Sequence, residues 1–121
     1  VLLVEDHPAN QKLATWLLTR HGFQVTLAEN GAEAVRLMTA LAFDAVLMDV
    51  QMPVMDGFEA TRLIRKQESK RRDKHHPIIA MTAGAIIGDR EKCLAAGMDD
   101  YISKPITAQV LLDKLRHWLG H

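Results

Sequence analysis

The feature that most constrains this chain is a strict alternation of short apolar runs with longer segments of helical period, repeated five times. Continuous apolar runs are typical of strands buried on both faces of a sheet. Parallel neighbours in a sheet need a crossover connection, which is usually a helix. The alternation therefore predicts an α/β fold with a parallel sheet and strands at Val1–Val4, Gln24–Ala28, Ala45–Met48, Ile78–Met81 and Tyr101–Ile102.

Helical periodicity predicts helices over Pro8–His21, from the cap residue Asn30 to Leu41, from Phe58 to 67–69, over Ala85–Ala96 and over Val110–Leu119. In the first of these, Leu13, Trp16, Leu17 and Arg20 fall at helical steps and predict the face that packs on the sheet. By contrast, Lys70–His76 is the most polar segment of the chain. It predicts a mobile, solvated loop rather than a metal or nucleic-acid site.

The composition narrows the classes of function. The 121 residues carry fifteen Lys and Arg against fifteen Asp and Glu, so no net charge draws the chain to nucleic acid or to an anionic membrane. The single cysteine, Cys93, excludes an internal disulfide framework and a cysteine-based zinc site, and fits a reducing, intracellular compartment. No apolar run approaches the roughly 20 residues of a membrane span. Because the chain starts on a strand-like run without an initiator Met, we expect 1–121 to be one domain of a longer multidomain protein.

Polar side chains follow four of the five predicted strands. Glu5 and Asp6 come after the first, Asp49 after the third, Thr82 after the fourth and Lys104 after the fifth. In an open parallel sheet, ligands bind beyond the carboxyl ends of the strands, so we expect these side chains to converge there. Carboxylates gathered at one place repel one another unless a cation lies between them. The sequence offers Lys104 and predicts a site for a hard divalent metal, most plausibly Mg²⁺.

Such a site suits phosphoryl transfer, because a metal, an ammonium and a hydroxyl can together neutralise phosphate oxygens. Asp49 stands alone on its strand and is the natural nucleophile for an acyl phosphate, whereas Glu5 and Asp6 suit the metal. Each residue taken alone has a plainer explanation as a helix cap or a surface charge. Asp56, before Gly57, is predicted to cap the third helix and to take no part in the chemistry.

The chain resembles the receiver domain of two-component response regulators over essentially its whole length. The similarity rests on Val4–Asp6, Met48–Gly57, Met81–Ala83 and Ser103–Pro105. The resemblance implies a doubly wound, flavodoxin-like (βα)5 domain whose five-stranded parallel sheet has the order 2-1-3-4-5. It also implies that the domain catalyses only its own phosphorylation and dephosphorylation.

The resemblance further assigns roles to individual residues. Asp49 would accept a phosphoryl group from a phosphohistidine on a partner, and Thr82 and Lys104 would bind the phosphoryl oxygens. Asp6, Asp49 and the backbone carbonyl of Gln51 would ligate Mg²⁺, or Mn²⁺ in its place, with Glu5 helping through water. Tyr101 would swing inward as Thr82 moves, and the bond between Lys104 and Pro105 would be cis.

The segments Asn10–Ala14 and Gly88–Tyr101 are most similar to receivers built into hybrid sensor histidine kinases. This similarity implies a histidine kinase domain or a histidine phosphotransfer domain as partner. It also implies a cytoplasmic location, as part of an inner-membrane sensor, and no direct contact with nucleic acid or membrane. His7 and Gly84 depart from the pattern of this subgroup, at positions close to the predicted site.

Three other functions remain open from the sequence. One is a stand-alone response regulator, and another is a receiver-like module that binds partners without being phosphorylated. The third is a phosphohydrolase with an aspartyl-phosphate intermediate. Hydrolases of the haloacid dehalogenase type carry a second Asp two residues after the nucleophile, and Gln51 occupies that position here. Nucleotide-binding glycine motifs are absent from the sequence.

Overall fold

A computed structural model describes residues 1–41, 43–50, 55–71, 75–82, 87–104 and 106–119. Strands and helices alternate in the order β1 (Leu2–Val4), α1 (Pro8–Arg20), β2 (Thr26–Ala28), α2 (Gly31–Ala40), β3 (Val46–Asp49), α3 (Gly57–Arg71), β4 (Ile78–Thr82), α4 (Ile87–Ala96), β5 (Asp100–Ser103) and α5 (Ala108–Leu119). The predicted elements are confirmed, with ends that move by a few residues. Within these ranges, no helix combines the length and the apolar character needed to cross a membrane.

The five strands form one parallel sheet in the order β2-β1-β3-β4-β5, which confirms the predicted fold class. The chain runs from β1 outward to β2, and then returns past β1 to build β3, β4 and β5 on its other side. Val4 is level with Met48 across β1 and β3, and Asp49 is level with Met81 across β3 and β4. The direction of winding therefore reverses between β1 and β3, where the first and third strand ends lie side by side.

Alternate residues of the strands face two separate apolar cores. Leu2, Val46 and Ile78 point to one side and pack with side chains of α2, α3 and α4. Leu3 and Leu47 point to the other side and pack with side chains of α1 and α5. Both faces of the sheet are covered by helices, which explains why the strands are continuous apolar runs.

Side-chain caps begin two of the helices as predicted. Asn30 Oδ1 accepts a hydrogen bond of 2.8 Å from Glu33 N at the start of α2, and Asp56 Oδ1 accepts one of 2.9 Å from Glu59 N in α3. The predicted second helix extends one residue too far. Leu41 follows α2 with an extended backbone and is 53% exposed.

The predicted inward face of α1 is right for Leu17 but wrong for Leu13, Trp16 and Arg20, which are exposed. The helix buries Ala14, Leu17 and Leu18, whereas Leu13 is 45% and Trp16 is 55% exposed. Both sets are spaced by three and four residues, so helical periodicity alone fits either face. The observed face places a small alanine toward the sheet and leaves an indole and an isobutyl group on the surface.

The prediction of a solvated loop over 70–76 is wrong at its start, because helix α3 continues to Arg71. His75 and His76 lie outside the helices and strands, and His75 is exposed, but their imidazoles lie 2.7 Å from Asp99 Oδ1 and 2.6 Å from Glu68 Oε2. Residues 72–74 lie outside the described part of the chain. Partners distant in sequence give these two histidines a structured role that local polarity does not indicate.

Arg65 connects α3 with the segments that lead into β4 and β5. Its guanidinium donates to Gly97 O at 2.8 Å, to Glu68 Oε1 at 2.8 Å, to His76 O at 2.7 Å and to Asp99 Oδ2 at 2.7 Å. Burial acts to raise the pKa of Glu68, but the hydrogen bonds from Arg65 and His76 outweigh burial and lower that pKa. The stability that Glu68 contributes is therefore present at neutral pH and is lost as the pH falls through the lowered pKa.

We predict that Arg65→Ala lowers the free energy of unfolding by about 2–3 kcal/mol, because it leaves two partly buried carboxylates without their shared cation. Urea denaturation of the variant measures this loss. Arg62→Ala is the matched control, since Arg62 lies on the exposed side of the same helix. Equal losses in the two variants would contradict the role given to Arg65.

Candidate functional site

Three acidic side chains converge at the carboxyl ends of β1 and β3. Glu5, Asp6 and Asp49 each offer one carboxylate oxygen, and these oxygens all lie within 4.8 Å of one another. Glu5 is 1% and Asp49 is 3% exposed, whereas Asp6 is exposed. The structure thus confirms that the strand ends gather these carboxylates into one cluster.

Lys104 supplies the positive charge within this cluster. Its ammonium lies 3.1 Å from Asp49 Oδ2 and 3.3 Å from Glu5 Oε2. The backbone N–H of Lys104 donates to Thr82 O at 2.7 Å, which fixes the chain directly after β5 beside the end of β4. Burial acts to lower the pKa of Lys104, but Asp49 and then Glu5 more than offset burial and raise it above 10.5. Lys104 is therefore an ammonium throughout the physiological range.

Glu5 is held differently at its two carboxylate oxygens. Oε1 lies 3.2 Å from the N–H of His7 and 3.4 Å from the amide nitrogen of Asn10, and both groups donate to it. Oε2 is buried and, although 3.3 Å from the Lys104 ammonium, accepts no hydrogen bond from any described residue. Sequence reasoning missed Asn10 as a neighbour of this carboxylate; its place in the first turn of the helix that follows the acidic pair was the available signal.

The start of α3 lies directly against the end of β3. A Cβ atom at Gly57 would collide with the backbone carbonyl of Asp49, and would lie 2.9 Å from the Cα atom of Val50. The N–H of Gly57 donates to Val50 O at 3.3 Å. Position 57 therefore requires glycine, because the backbone at the start of α3 packs directly against the end of β3, the strand that carries Asp49.

The remaining predicted residues lie on β4 and β5. Thr82 ends β4 and is 2% exposed, level with Ser103 across the two strands. Tyr101 is half-buried on the edge strand β5, with the ammonium of Lys114 5.7 Å from its ring centroid. Gln51, Pro105 and the segment 83–86 lie outside the described residues, so the predicted backbone ligand and the cis bond stay predictions.

The donor set fits a hard divalent cation. Three carboxylates against one ammonium leave the cluster with an excess of negative charge. Carboxylate oxygens are the ligands that Mg²⁺ prefers, and Mg²⁺ commonly binds through one or two of them while keeping several waters. The buried Glu5 Oε2 lacks a hydrogen-bond donor among the described residues, as expected for an oxygen that faces a hydrated cation.

Comparison with known proteins places the chain in a family. The model of the response regulator receiver domain matches residues 1–116. The chain belongs to this family. A solved structure with 49% identity is the receiver domain of a sensor histidine kinase from Pseudomonas aeruginosa, with a magnesium ion coordinated in its active-site cleft. It has a TM-score of 0.88, and the match covers 99% of this chain and 96% of that one.

Similar curated proteins are much longer than this receiver domain. Sensor protein GacS of Pseudomonas syringae is 45% identical over 99% of the chain, and hybrid signal transduction histidine kinase I of Dictyostelium discoideum is 44% identical over 93% of it. The chain spans 13% of the first and 7% of the second. A further solved structure, at 32% identity and a TM-score of 0.94 over 98% of this chain and 87% of that one, is the complex of the yeast histidine phosphotransfer protein Ypd1 with the receiver domain of Ssk1.

We predict that Lys104→Met lowers the free energy of unfolding by about 1–3 kcal/mol in metal-free buffer at neutral pH, because it leaves buried carboxylates without their counter-charge. Millimolar MgCl2 should raise the melting temperature of this variant more than that of the native receiver. Because folding raises the pKa of Lys104, the loss of unfolding free energy in Lys104→Met persists at pH values below 10.5. This loss shrinks as the pH rises through the folded-state pKa of Lys104, where the native ammonium loses its proton.

The matched control is Lys114→Met, which also removes an ammonium, 2.9 Å from Asp100, but outside the acidic cluster. Thermal denaturation with and without MgCl2 compares the three proteins. If Mg²⁺ stabilised the Lys104→Met and Lys114→Met variants equally, Lys104 would not be the counter-charge of the cluster.

Proposed function

We propose that this receiver domain takes a phosphoryl group from a phosphohistidine onto Asp49 in a Mg²⁺-dependent reaction and so switches a partner-binding surface. The observation that carries the proposal is the burial of Asp49 beside two further carboxylates, with the Lys104 ammonium 3.1 Å from its Oδ2. A buried aspartate between a cation-binding cluster and a lysine is arranged for an oxyanion-rich transition state.

In the proposed step, a carboxylate oxygen of Asp49 attacks the phosphorus of the phosphohistidine. The new P–O bond gives an acyl phosphate while the P–N bond breaks, and the imidazole leaves with the electron pair of that bond and takes a proton from solvent. Lys104 neutralises phosphoryl oxygens, and the hydroxyl of Thr82 donates a hydrogen bond to them. A bound Mg²⁺ lowers the charge repulsion between the carboxylates and the incoming phosphoryl group.

Individual residues have distinct roles toward that cation. Asp6 and Asp49 would ligate it directly, together with the backbone carbonyl of Gln51, and Glu5 would act through water. The short distances among the oxygens of Glu5, Asp6 and Asp49 support this assignment, as does the magnesium ion in the Pseudomonas aeruginosa relative.

Phosphorylation acts as a population shift. Contacts of Thr82 with the phosphoryl oxygens favour one position of the Thr82 side chain, and Tyr101 moves inward in response. The surface that changes is formed by α4 and β5. Half-burial of Tyr101 at the sheet edge supports this role, because its ring is in contact with both the core and the surface.

The parent protein of this domain is a hybrid sensor histidine kinase, in which the receiver lies on the cytoplasmic side and exchanges phosphate with a histidine kinase or phosphotransfer domain. The relatives at 44% and 45% identity support this context, and the Ypd1–Ssk1 complex supports a phosphotransfer protein as partner. The exposed apolar side chains of Leu13 and Trp16, on the helix that begins just after Asp6, offer such a partner a surface near the site.

We predict that incubation with MgCl2 and acetyl phosphate adds one phosphoryl group to the native domain and none to Asp49→Asn, as measured by intact-protein mass spectrometry. Chelating the metal should abolish the adduct. Asp56→Asn is the matched control, since Asp56 caps α3 a few residues away and should leave the reaction intact. If Asp49→Asn were phosphorylated like the native domain, another residue would be the acceptor.

We also predict that Trp16→Ala and Leu13→Ala slow phosphoryl transfer from a phosphorylated histidine phosphotransfer domain by about tenfold or more, because both remove exposed apolar contact area. Phosphorylation by acetyl phosphate should not change, because this small donor needs no docking surface. Leu41→Ala is the control, a similarly exposed leucine at the far end of α2. A loss with acetyl phosphate as well, or an equal loss in Leu41→Ala, would argue against docking on α1.

A further inference from the structure

Glu5 lies at the amino terminus of α1 and satisfies backbone groups there. His7 is the cap residue of this helix, but its side chain makes no capping hydrogen bond. The carboxylate of Glu5 accepts the N–H of His7 at 3.2 Å instead, and the positive end of the helix dipole favours an anion at this position. The capping interaction occupies Oε1 of Glu5.

Two side chains in the first turn of α1 also donate hydrogen bonds to Glu5. Asn10 Nδ2 donates to Oε1 at 3.4 Å, whereas Gln11 Nε2 donates to the backbone carbonyl of Glu5 at 2.7 Å. An ionised carboxylate only accepts hydrogen bonds, so the amide nitrogen of Asn10 must be the atom that faces it. Asn10 therefore fixes the carboxylate group, and Gln11 fixes the backbone that carries it.

These contacts leave one oxygen of Glu5 available to the acidic cluster. Oε2 is buried, accepts no hydrogen bond from the described residues and lies 3.3 Å from the Lys104 ammonium. A partial rotation of the carboxylate would turn Oε2 away from the Lys104 ammonium, whereas a half-turn only exchanges two equivalent oxygens. The two donors on Oε1 oppose this rotation, and of the two only the Asn10 amide belongs to a side chain.

We propose that Asn10 is a positioning residue of the metal site, which holds Oε1 of Glu5 so that Oε2 faces Lys104 and the bound cation. This inference rests on the proposed function, because it assumes that the cluster binds Mg²⁺. Partners of metal-bound groups commonly change metal affinity by tenfold or more when they are removed. Since Glu5 acts through water, we expect Asn10→Ala to weaken Mg²⁺ binding by about three- to tenfold.

The lengths of the Asn10 and Gln11 hydrogen bonds distinguish a positioning role of Asn10 from a merely structural one. The Asn10 bond is long for an amide donor, whereas the Gln11 bond is short, so loss of the Gln11 bond should lower the melting temperature more. Alanine is also the best helix former and suits position 10 of α1. If Asn10 is a positioning residue, Asn10→Ala changes the Mg²⁺ affinity more than Gln11→Ala does. Gln11→Ala in turn changes the melting temperature more than Asn10→Ala does.

The experiment titrates MgCl2 into the native domain, Asn10→Ala and Gln11→Ala by isothermal calorimetry, and repeats the Asn10 comparison in a Glu5→Ala background. We expect a three- to tenfold rise in Kd for Asn10→Ala, less than a twofold rise for Gln11→Ala, and no effect of Asn10→Ala once the Glu5 carboxylate is removed. That last result would show that Asn10 acts through the carboxylate of Glu5.

Three outcomes would overturn the inference. An unchanged Kd in Asn10→Ala would remove its positioning role while leaving the proposed function intact. Equal weakening in the native and Glu5→Ala backgrounds would show that Asn10 acts by another route. Absence of Mg²⁺ binding by the native domain itself would refute the metal-dependent reaction, and the positioning role with it.

Discussion

The ammonium of Lys104 holds together the carboxyl ends of two strands that would otherwise repel each other. Glu5 follows β1 and Asp49 ends β3, and both carboxylates are almost fully buried, where solvent screens their repulsion weakly. Lys104 reaches both because its backbone is fixed to Thr82 at the end of β4. In the proposed reaction, a bound divalent cation would take over this neutralisation and the ammonium would become available to an incoming phosphoryl group. One positive charge would then serve the resting site and the proposed reaction.

The opposite end of the sheet is joined by a network of side-chain contacts. There, Arg65 binds Glu68 and Asp99, and each of these carboxylates also lies within hydrogen-bond distance of a histidine ring. Contacts that stabilise the fold therefore lie where β4 and β5 begin, and unbalanced negative charge lies at the carboxyl ends of β1 and β3. Such a division lets the reactive end change its contacts while the core stays packed, because local rearrangement occurs where native interactions are fewest.

The sequence was sufficient to predict the fold and the members of the acidic cluster, for a common physical reason. A buried parallel strand must be apolar throughout, so a polar residue such as Asp49 or Thr82 marks the point where the strand leaves the core. Predictions failed where long-range contacts decide the outcome. Periodicity fitted two faces of α1, and only packing on the sheet selects Ala14 and Leu18 and leaves Leu13 and Trp16 exposed. The partners of His76 lie beyond any local pattern for the same reason.

The contacts around Tyr101 limit how a phosphoryl signal can leave the site. Asp100, directly before it, accepts from Tyr101 N at 2.8 Å, Lys114 Nζ at 2.9 Å and Trp118 Nε1 at 3.0 Å, so the start of β5 is tied to α5. The backbone before Tyr101 is tied to α5 through Asp100, and in the proposed switch the ring is the part that moves. The ring packs against the core and lies 5.7 Å from the Lys114 ammonium, a contact of about 0.5–1 kcal/mol. In the proposed switch, a new hydrogen bond from Thr82 to a charged phosphoryl group, at about 1.5–3 kcal/mol, would outweigh the contact with the ammonium.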